Sequence, residues 1–468
     1  MASFELQPNT SRRDELEEVP GTKADIDLIE SAGYGGEPTH AESMTARLPK
    51  AHRDYLMERH GTLELDPIPG MSPADPYNWS ERKKMINLVL VAFHACMGTF
   101  TAAAIIPAFL DLSKALGVGM QDVAYLTSLQ IAILGGAPLF WKPLSNRAVV
   151  METTFKKDRG RYMGVWTLMV TLGVPIGPFI FGFVAYRAGY QWIFWILAMI
   201  NGGQFILYLF FGPETRYLDS GIDSKESTRK IEYMSLRRID PAPFSWFEFV
   251  RPLTMARHPS ILIPACAYAM IFLFASVLTT VEVPQLLQEK FELNSEQLGM
   301  QFLGVIIGSV IGEQMGGVLS DFWMSRRSQR INRKAEPEFR LWLSYFGFAL
   351  TIIGVIIFLV CTQESPSGHW SVSPIVGTAI AAVGNQLVTT VMVTYAVDCF
   401  PQEAGNIGVF VTFVRQIWGF IGPFWFTPMF ENAGIAPSAG IVSALIVLVS
   451  VIPTIFLHWR GKIWRSEE

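Results

Sequence analysis

The 468-residue sequence predicts an all-α membrane protein of about ten transmembrane helices, four before and six after a polar central stretch. Three observations carry that prediction. Half of the residues are apolar and only 17% are charged, with a mean hydropathy of +0.30, which does not describe a soluble globular chain. Apolar runs of about 20 residues recur, each long enough to cross a hydrocarbon core of about 30 Å as a helix. Lys and Arg cluster in alternate connections, the pattern that orients a multi-span protein in its bilayer.

Residues 1–85 open with "MASFELQPNTSRRDELEEVPG" and stay rich in Glu, Asp, Ser, Gly and Pro. Without a sustained apolar period they predict a largely disordered cytosolic tail, a tether or a site for phosphorylation or trafficking signals. The acidic opening shows no charged-then-apolar leader, so insertion is expected to begin at the first true span. Spans follow near 86–108, 121–141, 162–184 and 190–212, an incomplete amino-terminal bundle over 86–212. A cytosolic central loop over 213–258 leads to a six-helix bundle over 259–458. Its spans lie near 259–281, 298–319, 340–361, 372–397, 405–428 and 437–458, and 459–468 is a short cytosolic tail. Gly and Pro within several runs suit packed membrane helices, where neighbours and waters satisfy the freed backbone groups.

Orientation follows from the positive charges. The linker 142–161 carries Lys142, Arg147, Lys156, Lys157, Arg159 and Arg161, and 320–339 carries Arg326, Arg327, Arg330, Arg333 and Lys334. These connections are expected on the cytosolic side, with 282–297 and 362–371 opposite and both termini inside.

Composition also excludes classes of function. A net charge of −4 supplies no basic field for nucleic acid. Cys96, Cys266, Cys361 and Cys399 fall singly, in no disulfide or zinc spacing. No Gly-x-x-x-x-Gly-Lys-Ser loop and no Ser-His-Asp or clustered-His arrangement stands out, so neither ATP hydrolysis nor an enzyme is indicated. His94, in the first span, reads as a packed residue. A transporter would draw on an ion gradient, with no cofactor.

An internal repeat raises a question about the linker. "KPLSNR" at 142–147 matches "GVLSDF" at 317–322, which begins at Gly317, while "GVPIGPF" at 173–179 matches "GFIGPFW" at 419–425. The first pair is about 175 positions apart and the second about 245, so the halves are out of step by about 70 residues, or two helices with their connections. An even number of missing helices leaves the downstream orientation unchanged.

These residues carry a family resemblance. From about Asp75 to Trp464 the chain resembles a major facilitator superfamily transporter, within the fungal drug:proton antiporter branch, whose complete members have twelve spans in two six-helix bundles. "DPYNWSERKK" before the first span, "GPETRYL" at 212–218, "YAVDCFP" at 395–401 with Asp398, and "GVFVTFVRQIWGFIGPFWF" at 408–426 are similar to that branch. "PLFWKPLSNR" resembles the start of the family's Gly-x-x-x-Asp-Arg-x-Gly-Arg-Arg loop, with Lys142 in the Gly place, Asn146 in the Asp place and then Arg147. "GVPIGPFIFG", with Gly173, Gly177, Pro178 and Gly182, resembles the antiporter motif Gly-x-x-x-Gly-Pro-x-x-x-Gly. The resemblance implies efflux of drugs or secondary metabolites, proton coupling, a small amphipathic organic substrate and residence in the lipid bilayer of the plasma membrane. After Arg147 the chain departs from the pattern: the third and most of the fourth family spans are absent, and with them an Arg implicated in proton coupling. A skipped exon, an alternative isoform, a gene-model variant and a true ten-span carrier all fit, so a non-transporting form stays open beside the transporter.

Candidate site residues follow from what a membrane tolerates. Gly173, Gly177 and Gly182 put small residues on one face and Pro178 permits a bend, a hinge or plain packing. Loss of two helices is expected to strip that face of its partners. Arg415, about ten residues into its span, is expected to face the interior, meet a carboxylate or carbonyl, and contact an anion or coupling group. Glu313 and Asp321 read as a cytosolic gate, Asp321 pairing with a neighbouring helix. Gln130, Asn201, Gln204, Asn385 and Gln386 at mid-span are expected to line a cavity or bond between helices. Trp166, Tyr268, Phe272 and Trp418 could floor a pocket, and Trp192 and Trp195 suit an interface belt.

Overall fold

The computed structural model describes residues 48–63, 65, 67–73, 75–145, 155–211, 246–331 and 336–467. Asn146, Arg147 and the junction at 147–148 lie outside the described residues, as does "GPETRYL". The chain divides into two compact units, one ending at Ile68 and one spanning Pro69–Glu468. In the first, part of the stretch expected to be disordered forms the helix Lys50–His60, closed by Gly61 in the left-handed conformation.

The second unit is helical throughout, with no strand among the described residues. Among the described residues ten helices are long and apolar enough to cross a membrane: Glu81–Leu116, Met120–Trp141, Gly164–Ala188, Gln191–Phe210, Pro259–Gln288, Ser295–Ile331, Pro337–Glu364, Ser373–Cys399, Pro401–Ile421 and Ile435–Trp464. We number them as the first to tenth spans. The segment before the first span is a built turn: Asp75 accepts from the backbone N–H groups of Gly70 (2.7 Å) and Tyr77 (2.9 Å), and Ser80 caps the helix that follows. Trp79 lies beneath the Lys83 ammonium at 3.6 Å.

Two boundaries differ from expectation. The first span starts at Glu81 and, after a short tight turn at Ile106–Ala108 where Pro107 offers no N–H, runs on to Leu116. The fifth continues helically to Phe291, placing Glu282 inside it instead of in a loop. Its Glu and Gln residues lower the hydropathy there, while Val281, Val283 and Leu287 keep an apolar stripe buried.

The glycines fix the packing. A Cβ at Gly173 would strike the carbonyl oxygen of Cys96 at 2.5 Å, and one at Gly177 that of Phe100 at 2.7 Å, so the third span lies directly on the backbone of the first. Gly182 meets Ser295 and Gly299 at the start of the sixth span. The expectation that this face loses its partners is therefore overturned: the first and sixth spans cover it. The second span packs mainly on the ninth, where a Cβ at Gly135 would stand 2.6 Å from Cβ of Gln416.

The vacancy falls elsewhere. In the second half the seventh span packs against the tenth. The fourth span occupies the tenth's place in the repeat but has no such neighbour among the described residues, and it touches mainly the first and third. Only 17% of its most apolar window is buried, against 78% for the fifth span.

Candidate functional site

A partly open cavity lies between the halves. The first, second and third spans supply Thr99, Thr127 and Thr171, and the fifth, eighth and ninth supply Tyr268, Gln386 and Arg415. A π-turn over Leu273–Leu278 interrupts the fifth span where Phe272, Ser276 and Val277 face this space. Such a turn redirects side chains without breaking the helix and is common at functional sites. The walls are chiefly apolar with a few convergent polar groups, the usual make-up of a site for a small organic molecule.

Polar contacts join the two halves through the cavity wall. Gln386 Nε2 donates to Glu313 Oε2 at 2.8 Å and to Thr171 Oγ1 at 3.2 Å, and Asn385 Nδ2 donates to Gln386 Oε1 at 3.2 Å. Glu313 is 9% exposed and held within the sixth span, so it does not reach the end of that span as expected. Arg415 donates through Nη1 to the Tyr268 hydroxyl at 2.9 Å, and its guanidinium carbon sits 4.6 Å from the centre of the Phe272 ring. The carboxylate or carbonyl partner expected for it is absent among the described residues; a phenol and an aromatic face hold it.

Of the polar candidates, Asn385 and Gln386 join Arg415 at the cavity and the others do not. Gln130 is half-buried beside the lining, its Oε1 without a partner. Gln204 is buried and its Nε2 donates to His94 Nδ1 at 2.9 Å, tying the fourth span to the first. His94 is exposed on the outer surface, not packed in the core. Asn201 is exposed and donates back to the Leu197 carbonyl. Tyr268 and Phe272 line the cavity, while Trp166 and Trp418 fall outside its lining. Trp192 and Trp195 are half or more exposed.

Asp321 pairs with a residue that sequence reasoning missed. Arg340, at the start of the seventh span, reaches Asp321 at 3.4 Å and Asp398 at 3.5 Å, and donates to Ser320 Oγ at 2.6 Å. The cluster joins the sixth, seventh and eighth spans within one half. Arg326 and Arg327 instead stack on Phe322 and Phe339, and Gly317 stands in open space in the sixth span's own π-turn. At the other end of the bundle, contacts cross between halves: Arg187 with Glu296 at 3.0 Å, and Gln121 with the Pro423 carbonyl and Thr427, each at 2.6 Å. Glu282 is 1% exposed and its Oε1 has no hydrogen-bond partner. Nothing in its sequence context distinguished it, because its helix was read as a loop.

Ten packed spans and a cavity shared between two halves define a multi-pass integral membrane protein built as a carrier. A family model described as Major Facilitator Superfamily matches residues 145–423, and the chain belongs to that superfamily. The family is one of transporters, not of enzymes.

Relatives include the efflux pump radE of Floropilus chiversii, 24% identical, with 84% of this chain and 83% of that one covered. The efflux pump FUBT of Fusarium oxysporum is 26% identical, with 75% and 60% covered. Among solved structures, a bacterial homolog of the human lysosomal transporter Spinster is 14% identical over 83% of this chain and 97% of that one, with a TM-score of 0.42. The alignment with radE runs over 456 residues but takes up 84% of this chain. About 60 positions of that alignment, summed over all its gaps, have no counterpart in this chain, a total as long as two spans with short connections. Ten spans fit a member of a twelve-span family without its third and most of its fourth.

Proposed function

We propose that this chain is a secondary active carrier that exports small amphipathic organic molecules, drugs or secondary metabolites, by alternating access, in exchange for protons. The cavity shared by both halves, bridged by Gln386 from Glu313 to Thr171, supports this reading above all else. Rocking of one half against the other would expose such a site to each side in turn. Glu313 is the candidate proton carrier, because a buried carboxylate hydrogen-bonded to the group that bridges the halves couples its charge to their separation. Arg340, Asp321 and Asp398 are the proposed cytosolic brace, and the contacts Arg187–Glu296 and Gln121–Pro423 the seal opposite. The membrane is proposed to be the plasma membrane.

In that membrane both termini and 213–258 are cytosolic, with the connections 292–294 and 365–372 outside, since 282–291 belongs to the fifth span. Protease-protection assays on tags placed at these points will show it, and a carboxyl terminus cleaved from outside intact cells would defeat the orientation.

A second reading is a truncated, non-transporting form, favoured by the uncovered fourth span and the shortfall against radE. The two readings separate in a host stripped of its own drug exporters. The chain as written and a form with about 70 residues restored between Arg147 and Ala148, two helices and their loops, are compared for substrate retention and for melting in detergent. We expect the restored form to melt higher and to show gradient-dependent efflux well above the short one. Equal efflux from both would establish a ten-span carrier.

A further inference from the structure

We propose that Arg415 makes the cavity an anion-selective site, so that its substrates are amphipathic organic acids bearing a carboxylate or sulfonate and not the cationic amphiphiles many efflux systems take. The inference rests on the carrier reading above and specifies the substrate class of the same cavity.

Charge is the first observation. Among the described residues lining the cavity Arg415 is the one charged group, and no carboxylate lies within ion-pair distance of it. Glu313, the buried carboxylate bound to the lining residue Gln386, is engaged by it. A guanidinium inside a bundle is costly, and a purely structural one would be expected to have its donors filled.

The second observation is that the donors are not filled. Nη1 is occupied by Tyr268, but Nε is buried without an acceptor. On the same lining stand two further buried hydroxyls with no partner, Thr127 Oγ1 and Thr280 Oγ1, on residues 3–4% exposed. A guanidinium edge offers a planar acceptor two parallel donors, a geometry that a carboxylate or sulfonate matches. The threonine hydroxyls can rotate to donate as well. Phe272, stacked on the guanidinium, together with Ile131 and Val277, supplies the apolar floor for the body of the ligand.

The test uses three probes of one skeleton, 2-naphthoate, 2-naphthamide and 2-naphthylmethylammonium, and the full chain in nanodiscs of neutral phosphatidylcholine. Equilibrium dialysis gives their affinities without a gradient or any transport. We expect naphthoate to bind at least tenfold tighter than naphthamide, about 1.4 kcal/mol, with the ammonium probe weakest. Arg415→Gln should bring naphthoate down to the naphthamide level, while Arg415→Lys, which keeps the charge and loses the fork, should fall between. If Arg415→Gln does not fold, the order of the three probes on the natural chain decides the matter alone. Equal binding of naphthoate and naphthamide, a preference for the cation, or no naphthoate binding at millimolar concentration would each overturn the proposal. Selective naphthoate binding by a chain that fails to transport would uphold this site while defeating the carrier reading.

Discussion

Gly177→Leu should leave little correctly folded protein. A Cβ there would stand 2.7 Å from the Phe100 carbonyl oxygen and 3.5 Å from the Ala104 nitrogen, and both are backbone atoms that no rotamer change can move. Four added carbons would push the third span off the first over more than a turn, carrying Thr171 and Val174 away from the cavity. Overpacking of a well-filled interior costs about 1–3 kcal/mol, and a clash against backbone lies at the upper end. In membranes close packing supplies much of the association energy, so no hydrophobic compensation follows. Gly202→Leu, on the neighbouring span with nothing within 4 Å, is the matched control and should cost little. Size-exclusion profiles and melting of fluorescently tagged variants at equal expression will show whether the two substitutions diverge. Similar profiles for both would mean that the first and third spans are not packed as described.

Glu313→Gln should abolish gradient-driven transport and spare exchange. The amide still offers an oxygen to Gln386, so the bridge to Thr171 can form, but the side chain can no longer take up or release a proton. In vesicles, uptake driven by a pH gradient should fall at least thirtyfold, about 2 kcal/mol. Substrate-for-substrate counterflow, which needs no net proton movement, should stay within roughly threefold of the natural protein. The measurement belongs in whichever form, short or restored, transports. Undiminished gradient-driven uptake would remove Glu313 as the proton carrier and direct attention to Glu282, the buried carboxylate of the fifth span.

The ten spans were legible because a run of about 20 apolar residues has few other solutions. The cavity was legible in part. Arg415, Asn385, Gln386, Tyr268 and Phe272 were found by asking which side chains lipid could not tolerate. The same question failed on Asn201 and Gln204, three residues apart on one helix: one points outward and the other ties two spans together, and the sequence does not say which neighbours a helix will have. The three glycines of the third span misled for that reason too, since small residues announce a close approach without naming the partner. Arg340 sits in a basic stretch and looks like its neighbours. Only the fold brings it between Asp321 and Asp398, which are far from one another in the chain. Glu282 was hidden by hydropathy, because Glu, Gln and Lys over 282–290 outweigh the valines and leucines that keep the helix buried.

The attachment of the second span to the ninth has a consequence for how the molecule is made. Ribosomes deliver the second span some 280 residues ahead of the ninth; at about 5–20 residues per second this helix therefore sits in the bilayer for roughly 14–56 s without its main neighbour. Gly135 and Gln121 then face lipid or a chaperone, and the early four-helix intermediate cannot be a finished unit. Late synthesis completes early structure. A nascent chain stalled before residue 401 should therefore be far more susceptible to membrane proteases than the released protein, with cleavage concentrated around the second span.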